Sequence, residues 1–340
     1  MNPGLSRREC LLLGAALGPF AAPVAGQTNI TPAEEFFVRD HFESPGLSMS
    51  GWKLRVEGRV TRPLELTFSD LLEAPSTKLE SVLECAGNGA AGNGVSSGVW
   101  QGASLAQLLK DAGADPSGSI LLEGADEGQL LKGRPRTPYL RLVPQNKCRT
   151  PESLIAYKLN DRFLPRANGF PARVVFPGWY GMDSVKWLRR IAVLGPAETP
   201  PGYDESGMRQ LYSRLRRDAP PQRITRILVK SMIAYPQNGA KLPAGTCLVK
   251  GFAWTGQGLV KHVEVSADGG KSWSAADLEP RPQPFTWIRW RYAWQARPGE
   301  QVLLSRARDS AGESQPLERD PGRLDSYELN WCAPLRCIVR

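Results

Sequence analysis

The residue with the most chemistry to offer is Cys85, in the stretch Leu83-Glu84-Cys85-Ala86-Gly87-Asn88-Gly89. A cysteine that follows a strand-like apolar run and enters a glycine-rich turn has its sulfur in a constrained, partly open loop. Its thiolate is a soft, strongly donating ligand for a redox metal. One cysteine cannot close a zinc site, so a metal held here must bring its other ligands in a cofactor. The alternative is a small buried side chain or half of a disulfide. Of six cysteines, Cys10 lies in a leader-like segment, which leaves Cys85, Cys148, Cys247, Cys332 and Cys337. An odd number in an oxidising compartment leaves at least one thiol for another use. Cys332 and Cys337 could pair or remain thiols, and with no C-x-x-C-H run no covalent haem is expected. His262 has no ligand-spaced partner and reads as structural, while Trp254, Trp273, Trp287, Trp290 and Trp294 are spaced as core and rim.

The elements around that loop fall into two stretches. From Thr31 to about Val193, short apolar runs alternate with Gly and Pro. Trp52–Gly58 alternates as a strand, and Ile120–Gly124 and Arg173–Pro177 read as buried strands. Ser69 is a candidate cap for a short helix through Leu72, and Ser104 for a clearer one over Leu105–Ala112 that Gly113 ends. Mixed elements in irregular order predict an α+β domain. Gly195–Pro221 is rich in Pro, Gly and charge, with a helix predicted around Met208–Arg217 whose basic cluster Arg214–Arg217 reads as a solvated face. Beyond it, Ile227–Val229, Cys247–Phe252, Val260–Val265 and Thr286–Trp294 follow a period of two, and Asp268-Gly269-Gly270 marks a hairpin. Short strands at that spacing predict an all-β sandwich of roughly 115 residues.

The chain has 340 residues, 41% hydrophobic and 23% charged, enough for two globular domains. A net charge of +9 suits an acidic partner surface or a pocket for anions; the basic residues are scattered, and nothing resembles a nucleic-acid recognition module. Residues 1–26 are expected to be a signal peptide: Arg7-Arg8 precedes an interrupted apolar stretch, Leu11–Ala25, with a small-residue exit near Val24-Ala25-Gly26. That stretch is shorter than the roughly 20 apolar residues a membrane span needs. Ser-Arg-Arg-x-x-Leu resembles a twin-arginine export signal, an ordinary secretory signal being the alternative. A periplasmic location is expected on either route.

Glu84-Cys85-Ala86-Gly87-Asn88 resembles the molybdenum-ligand motif of the sulfite oxidase family. In order along the chain, Phe36–Phe42, Leu154–Asn160, Leu164-Pro165, Gly169–Arg173, Pro177-Gly178 and Val185–Leu188 resemble that family's opening and central segments. Gly251–Trp254 and Val263–Trp273 resemble its immunoglobulin-like dimerisation domain. The resemblance implies a sulfite-oxidase-type molybdopterin domain over about 27–222 and a β-sandwich over about 223–340. It implies molybdenum with one molybdopterin, with Cys85 as the metal ligand and His41, Asp126, Asn168, Arg173 and Lys186 at pterin-contacting positions. Such a cofactor needs cations at its phosphate tail and fixed donors and acceptors around its rings. Arg39 and Arg323 match substrate arginines, and the active-site tyrosine is Tyr203 or Tyr212. The implied reaction is oxidation of a small anion such as sulfite by oxo transfer, with electrons leaving for a separate cytochrome c or cytochrome subunit. A homodimer with no membrane span after signal removal is implied too.

The departures bear on substrate. The family places arginines right after Cys-Ala-Gly-Asn, where this chain has Gly89 and Ala90. The loop that follows is shorter and lacks a tryptophan of the substrate pocket, Trp100 aligning elsewhere, and Asn168 stands where a histidine is usual. Losing a substrate arginine weakens anion binding by roughly 1.5–3 kcal/mol unless another cation substitutes. A reductase of sulfoxides or other oxyanions therefore stays open, as does an exported metal-free binding protein.

Overall fold

The computed structural model describes residues 29–279 and 282–340; the expected signal peptide, residues 1–26, lies outside them. The described chain divides into two compact units, one formed by 32–80 and 98–213, the other by 29–31, 81–97 and 214–340. Both are rich in strands, and the few short helices among the described residues all lie in the first.

The first unit and the hairpin leaving it contain β1 (Lys53–Gly58), β2 (Leu64–Thr67), β3 (Ser76–Glu84), β4 (Val95–Ser104), β5 (Ser119–Gln129), β6 (Arg136–Pro144), β7 (Leu154–Leu159), β8 (Arg162–Phe163), β9 (Arg173–Val175) and β10 (Leu188–Leu194). One sheet runs β2-β1-β10-β5-β6, with β1 and β10 parallel (Arg55 opposite Arg190) and the other pairs antiparallel. Alternation puts Leu54 and Val56 wholly inside, as the sequence pattern requires. The second sheet runs β3-β4-β7-β8, with β9 also on β7.

Helix α1 (Phe68–Glu73) is capped by Thr67 rather than Ser69. The Thr67 hydroxyl accepts from the Asp70 amide at 3.3 Å and the Asp70 carboxylate accepts from the Thr67 amide at 2.7 Å, so the reciprocal pair outcompetes a lone serine. Helix α2 (Leu105–Asp111) starts at Ser104 as expected, and α3 (Gln145–Cys148) is a single turn that the sequence pattern did not mark. The helix predicted around Met208–Arg217 does not form. Gly207 (φ +88°) and Tyr212 (φ +60°) take left-handed backbone, and β11 (Ser213–Arg214) follows at once. Arg214 is no solvated-face residue either: it donates to both carboxylate oxygens of buried Glu328 at 2.7 Å.

In the second unit lie β12 (Gln222–Arg223), β13 (Lys230–Tyr235), β14 (Lys241–Leu242), β15 (Gly245–Trp254), β16 (Val260–Ser266), β17 (Ser274–Ala275), β18 (Asp277–Leu278), β19 (Ile288–Ala296), β20 (Gly299–Asp309) and β21 (Leu335–Val339). Two sheets, β13-β15-β19-β18 and β14-β21-β20-β16-β17, share one core that includes Val249, Val263, Trp290, Trp294, Leu303 and Leu335. The Asp268 turn joins β16 to β17, its carboxylate accepting from the amides of Lys271 and Ser272 at 3.0 and 2.9 Å. Ile227–Val229, expected as a strand, precedes β13, which begins at Lys230. None of the five cysteines forms a disulfide. Among the described residues no helix is long and apolar enough to cross a membrane.

Candidate functional site

In the first unit, the segment before β1 lays His41 against the β6 residues Tyr139 and Arg141. The Tyr212 hydroxyl and His41 Nε2 are 2.8 Å apart, and the imidazole stacks on Tyr139 at 5.1 Å. Arg141 is buried with Asp183, Nε to Oδ1 2.8 Å, and its guanidinium stands 5.5 Å from the Tyr212 ring. Burial alone would lower the Arg141 guanidinium, but Asp183 and the phenols of Tyr139 and Tyr203 outweigh it and hold the charge. Burial pushes the Tyr139 phenol well up, and its hydroxyl donates to the Met182 carbonyl at 3.0 Å. His41 goes the other way: burial, then Arg39 and Arg141, bring it down to about 3. The imidazole is therefore neutral at physiological pH in a positive environment. Tyr212 and Tyr203, left open by the sequence, both belong to this cluster, with Tyr212 bonded directly to His41.

A second group in the same unit gathers Asp126, Asn168, Arg173 and Lys186. Arg173, on β9, is buried, and its guanidinium donates to the carbonyls of Asn168 at 3.0 Å and Ser184 at 2.8 Å. It lies 5.4 Å from the Trp100 ring, and burial lowers it to about 9. Asn168 donates to the Phe37 carbonyl at 3.3 Å. Lys186 contacts the Asp40 carboxylate and donates to the Ala167 carbonyl at 2.8 Å; burial, then Arg39, bring it to about 7. Asp126 Oδ1 is buried and accepts no hydrogen bond, and burial raises this carboxyl to about 7. Two glycines leave the room between these groups. A Cβ on Gly124 would stand 2.4 Å from Asp126 Oδ1, and one on Gly169 (φ +107°) 3.0 Å from Arg173 Cβ and 3.2 Å from Lys186 Cβ.

In the second unit, the turn after β3 carries Cys85. Its amide donates to the Gly94 carbonyl at 2.8 Å, its carbonyl accepts from the Asn88 amide at 2.9 Å, and Asn88 Oδ1 accepts from the Gly94 amide at 2.9 Å. Glu84, buried beside it, accepts from Asn88 Nδ2 at 2.9 Å, Trp254 Nε1 at 2.7 Å and Lys230 Nζ at 3.1 Å. Lys230 also donates to the Gly89 carbonyl at 2.7 Å. On the other side, the Glu328 amide donates to the Ala86 carbonyl at 2.9 Å. A Cβ on Gly87 would lie 3.9 Å from both Cys85 Sγ and the Tyr327 ring. Arg323 is engaged by carboxylates, 2.7 Å from Asp325 and 3.2 Å from Glu328. Cys85 itself is partly exposed, and among the described residues no three His, Cys, Asp or Glu side chains converge on a metal position. A metal at this thiolate takes its remaining ligands from elsewhere.

Residues 41–200 match the family model described as oxidoreductase molybdopterin binding domain, and 222–321 match the Mo-co oxidoreductase dimerisation domain. Sulfite oxidase of Gallus gallus is 32% identical over 87% of this chain and 70% of its own length. The chain belongs to the sulfite oxidase family. Mitochondrial sulfite oxidase of Mus musculus is 32% identical over 84% of this chain, which spans only 57% of that protein. The crystal structure of the sulfane dehydrogenase SoxCD from Paracoccus pantotrophus superposes with a TM-score of 0.81 at 29% identity, over 93% of this chain and 85% of that one. The protein is thus a molybdopterin-dependent oxidoreductase with Mo-molybdopterin as its cofactor.

The residues present fit that family's cofactor. A pterin edge offers N–H donors, and Asp126 Oδ1 is a buried acceptor with none. A phosphate asks for cations, and Arg173 has only carbonyl partners among its hydrogen bonds. Sequence reasoning missed Arg141 and Asp183 in one unit, and Lys230, Trp254 and Glu328 in the other. A faint signal for Arg141 is a charge in the otherwise apolar Tyr139–Val143 run; for Lys230 there is none.

Proposed function

We propose that the protein oxidises sulfite or a related reduced sulfur compound and passes the electrons to a separate c-type cytochrome. For sulfite the balance is sulfite plus water to sulfate, two protons and two electrons. When bound, the molybdenum cofactor would supply the two-electron redox centre, with Cys85 as its protein ligand and Asp126, Asn168, Arg173 and Lys186 as contacts to its organic part. The observation that carries the reading is the His41–Tyr212 pair, joined at 2.8 Å and lying in the positive field of Arg39 and Arg141. That field attracts a small anion and stabilises charge on it. An arriving anion opposes the same field and raises His41 toward its ordinary value, while the Tyr212 hydroxyl keeps the imidazole oriented.

Gly89 and Ala90 in place of arginines, with Arg323 occupied by Asp325, argue for a weaker anion site than that of an enzyme dedicated to sulfite. A substrate whose sulfur carries a larger group, of the kind implied by the name of the Paracoccus enzyme, fits that deficit. The two sheets of the C-terminal half are proposed as an immunoglobulin-like sandwich mediating a homodimer, with the catalytic domain over about 27–222. The arginine-pair leader would deliver the loaded protein to the periplasm.

Molybdenum quantification followed by cytochrome c reduction with sulfite and with thiosulfate tests this reading. Metal-loaded protein should reduce cytochrome c with at least one of them. Oxidation of a reduced dye by sulfoxides alone would turn the reading to a reductase. Metal-free protein from a host that makes the cofactor would turn it to a binding protein.

A further inference from the structure

The loop bearing Cys85 is held by a lysine that the proposed oxidation does not use. Lys230 opens β13 and is buried to 1% exposure, an unusual place for an ammonium. Its partners lie on both sides of the cysteine: the carboxylate of Glu84 before it and the carbonyl of Gly89 after it. Glu84 in turn receives Asn88 Nδ2 and Trp254 Nε1, Asn88 receives the Gly94 amide, and the Gly94 carbonyl receives the Cys85 amide. Every link in this ring is a hydrogen bond of normal length, and it closes on the main chain of Cys85 itself.

A buried ion pair adds little net stability over an apolar pair of the same shape, because both charges must be desolvated. What it adds is geometry, since each charge fixes the groups around it. We propose that Lys230 is a positioning residue for the Cys85 thiolate, acting through Glu84 and the Gly89 carbonyl. The inference rests on the reading of Cys85 as the metal ligand. It gives the C-terminal half a part in the metal site distinct from dimerisation.

Lys230→Met alone would strand the Glu84 carboxylate, so the test is the paired variant Lys230→Met, Glu84→Gln. It removes both charges, and the introduced amide oxygen can still accept from Trp254 and Asn88. Two readouts are taken on the full chain: the rate of Cys85 alkylation by iodoacetamide in protein from a cofactor-deficient host, and the paramagnetic g-values of the half-reduced metal in loaded protein. The expected result is a folded variant whose Cys85 alkylates about tenfold faster, because the loop opens more often, with shifted g-values. Unchanged alkylation and g-values in a folded variant would overturn the proposal. If the pair does not fold, Trp254→Phe removes one donor to Glu84 and is measured in the same two ways. Smaller changes in the same direction are then expected, and no change in either would again overturn the proposal. The ligand reading fails separately: in wild-type protein the cofactor must shield Cys85, and equal alkylation with and without it would remove Cys85 from the metal.

Discussion

The Cys85 loop and the Asp126 cluster differ in how their buried charges are matched. Around Cys85, Glu84 meets Lys230, Asn88 and Trp254, while Arg323 and Arg214 meet Glu328 and Asp325, so each charge has its counterpart within the unit. In the first unit, Asp126 keeps a buried oxygen without a donor, Arg173 donates to carbonyls only, and His41 and Lys186 sit well below their ordinary values. A buried acceptor without a donor and a buried guanidinium without a carboxylate are not left so without a reason. The contrast separates a mount from a receptor. On the proposed reading, one cluster would hold the ligand atom rigidly and the other would be completed by the polar, partly anionic cofactor.

The largest effect expected from breaking the contrast is on the mount. Glu84→Gln leaves the Lys230 ammonium buried without a counter-charge, and should cost about 3–5 kcal/mol of stability, read as a fall in urea midpoint. A shift under about 1 kcal/mol would mean that the ring is slack.

On the receptor side, Asp126 sharpens the contrast through pH. Its carboxyl is raised by burial from 3.8 to about 7, so between those values the folded cofactor-free protein holds a proton that the unfolded chain has released. The Asp126 contribution to stability should therefore fall as pH rises from about 4 to 7 and stay low above it, by at most about 4 kcal/mol. It is read as the difference between wild type and Asp126→Asn, because the lowered His41 contributes with the opposite sign over the same range. Asp126→Asn should remove that decline, and so should loading with cofactor, whose donors would compensate the carboxylate. A decline that survives in both would contradict the fit.

Arg39→Gln keeps donors but removes charge, and should lower kcat/KM for sulfite by the equivalent of about 2–4 kcal/mol, mainly through KM and less so at high salt. Ala90→Arg should improve sulfite use if the pocket is a weakened sulfite site, and do nothing or harm if it takes a larger sulfur compound. Smallest is the tyrosine pair. Tyr212→Phe removes the hydrogen bond to His41 and should cost about 1 kcal/mol in kcat/KM, whereas Tyr203→Phe should cost less; the reverse order would exchange their roles.

The mount was legible in the sequence at its centre and not at its edges. Glu84 through Asn88 is contiguous, so a short motif carries it, but Lys230 lies 146 residues away from Glu84 and joins it only through the tertiary fold. The residues proposed for the receptor, His41, Asp126, Arg173 and Lys186, were picked out as residue types because each stands in a recognisable segment. Arg141 was not, since an arginine inside an apolar strand declares its burial only when Asp183 is seen beside it. Most strands of both units fall where their apolar pattern put them, Ile227–Val229 excepted. The helix expected at Met208–Arg217 failed because left-handed backbone at Gly207 and Tyr212 is set by tertiary contacts such as the His41 bond, which local pattern cannot see.

The central claim, that the metal is mounted on Cys85, is tested most directly by molybdenum X-ray absorption on wild-type protein and on Cys85→Ser. A hydroxyl is a harder and poorer donor to molybdenum than a thiolate. The account predicts a folded, pterin-loaded variant whose metal has one sulfur neighbour fewer and whose turnover is lost. An unchanged sulfur shell, with activity within about tenfold of wild type, would contradict it.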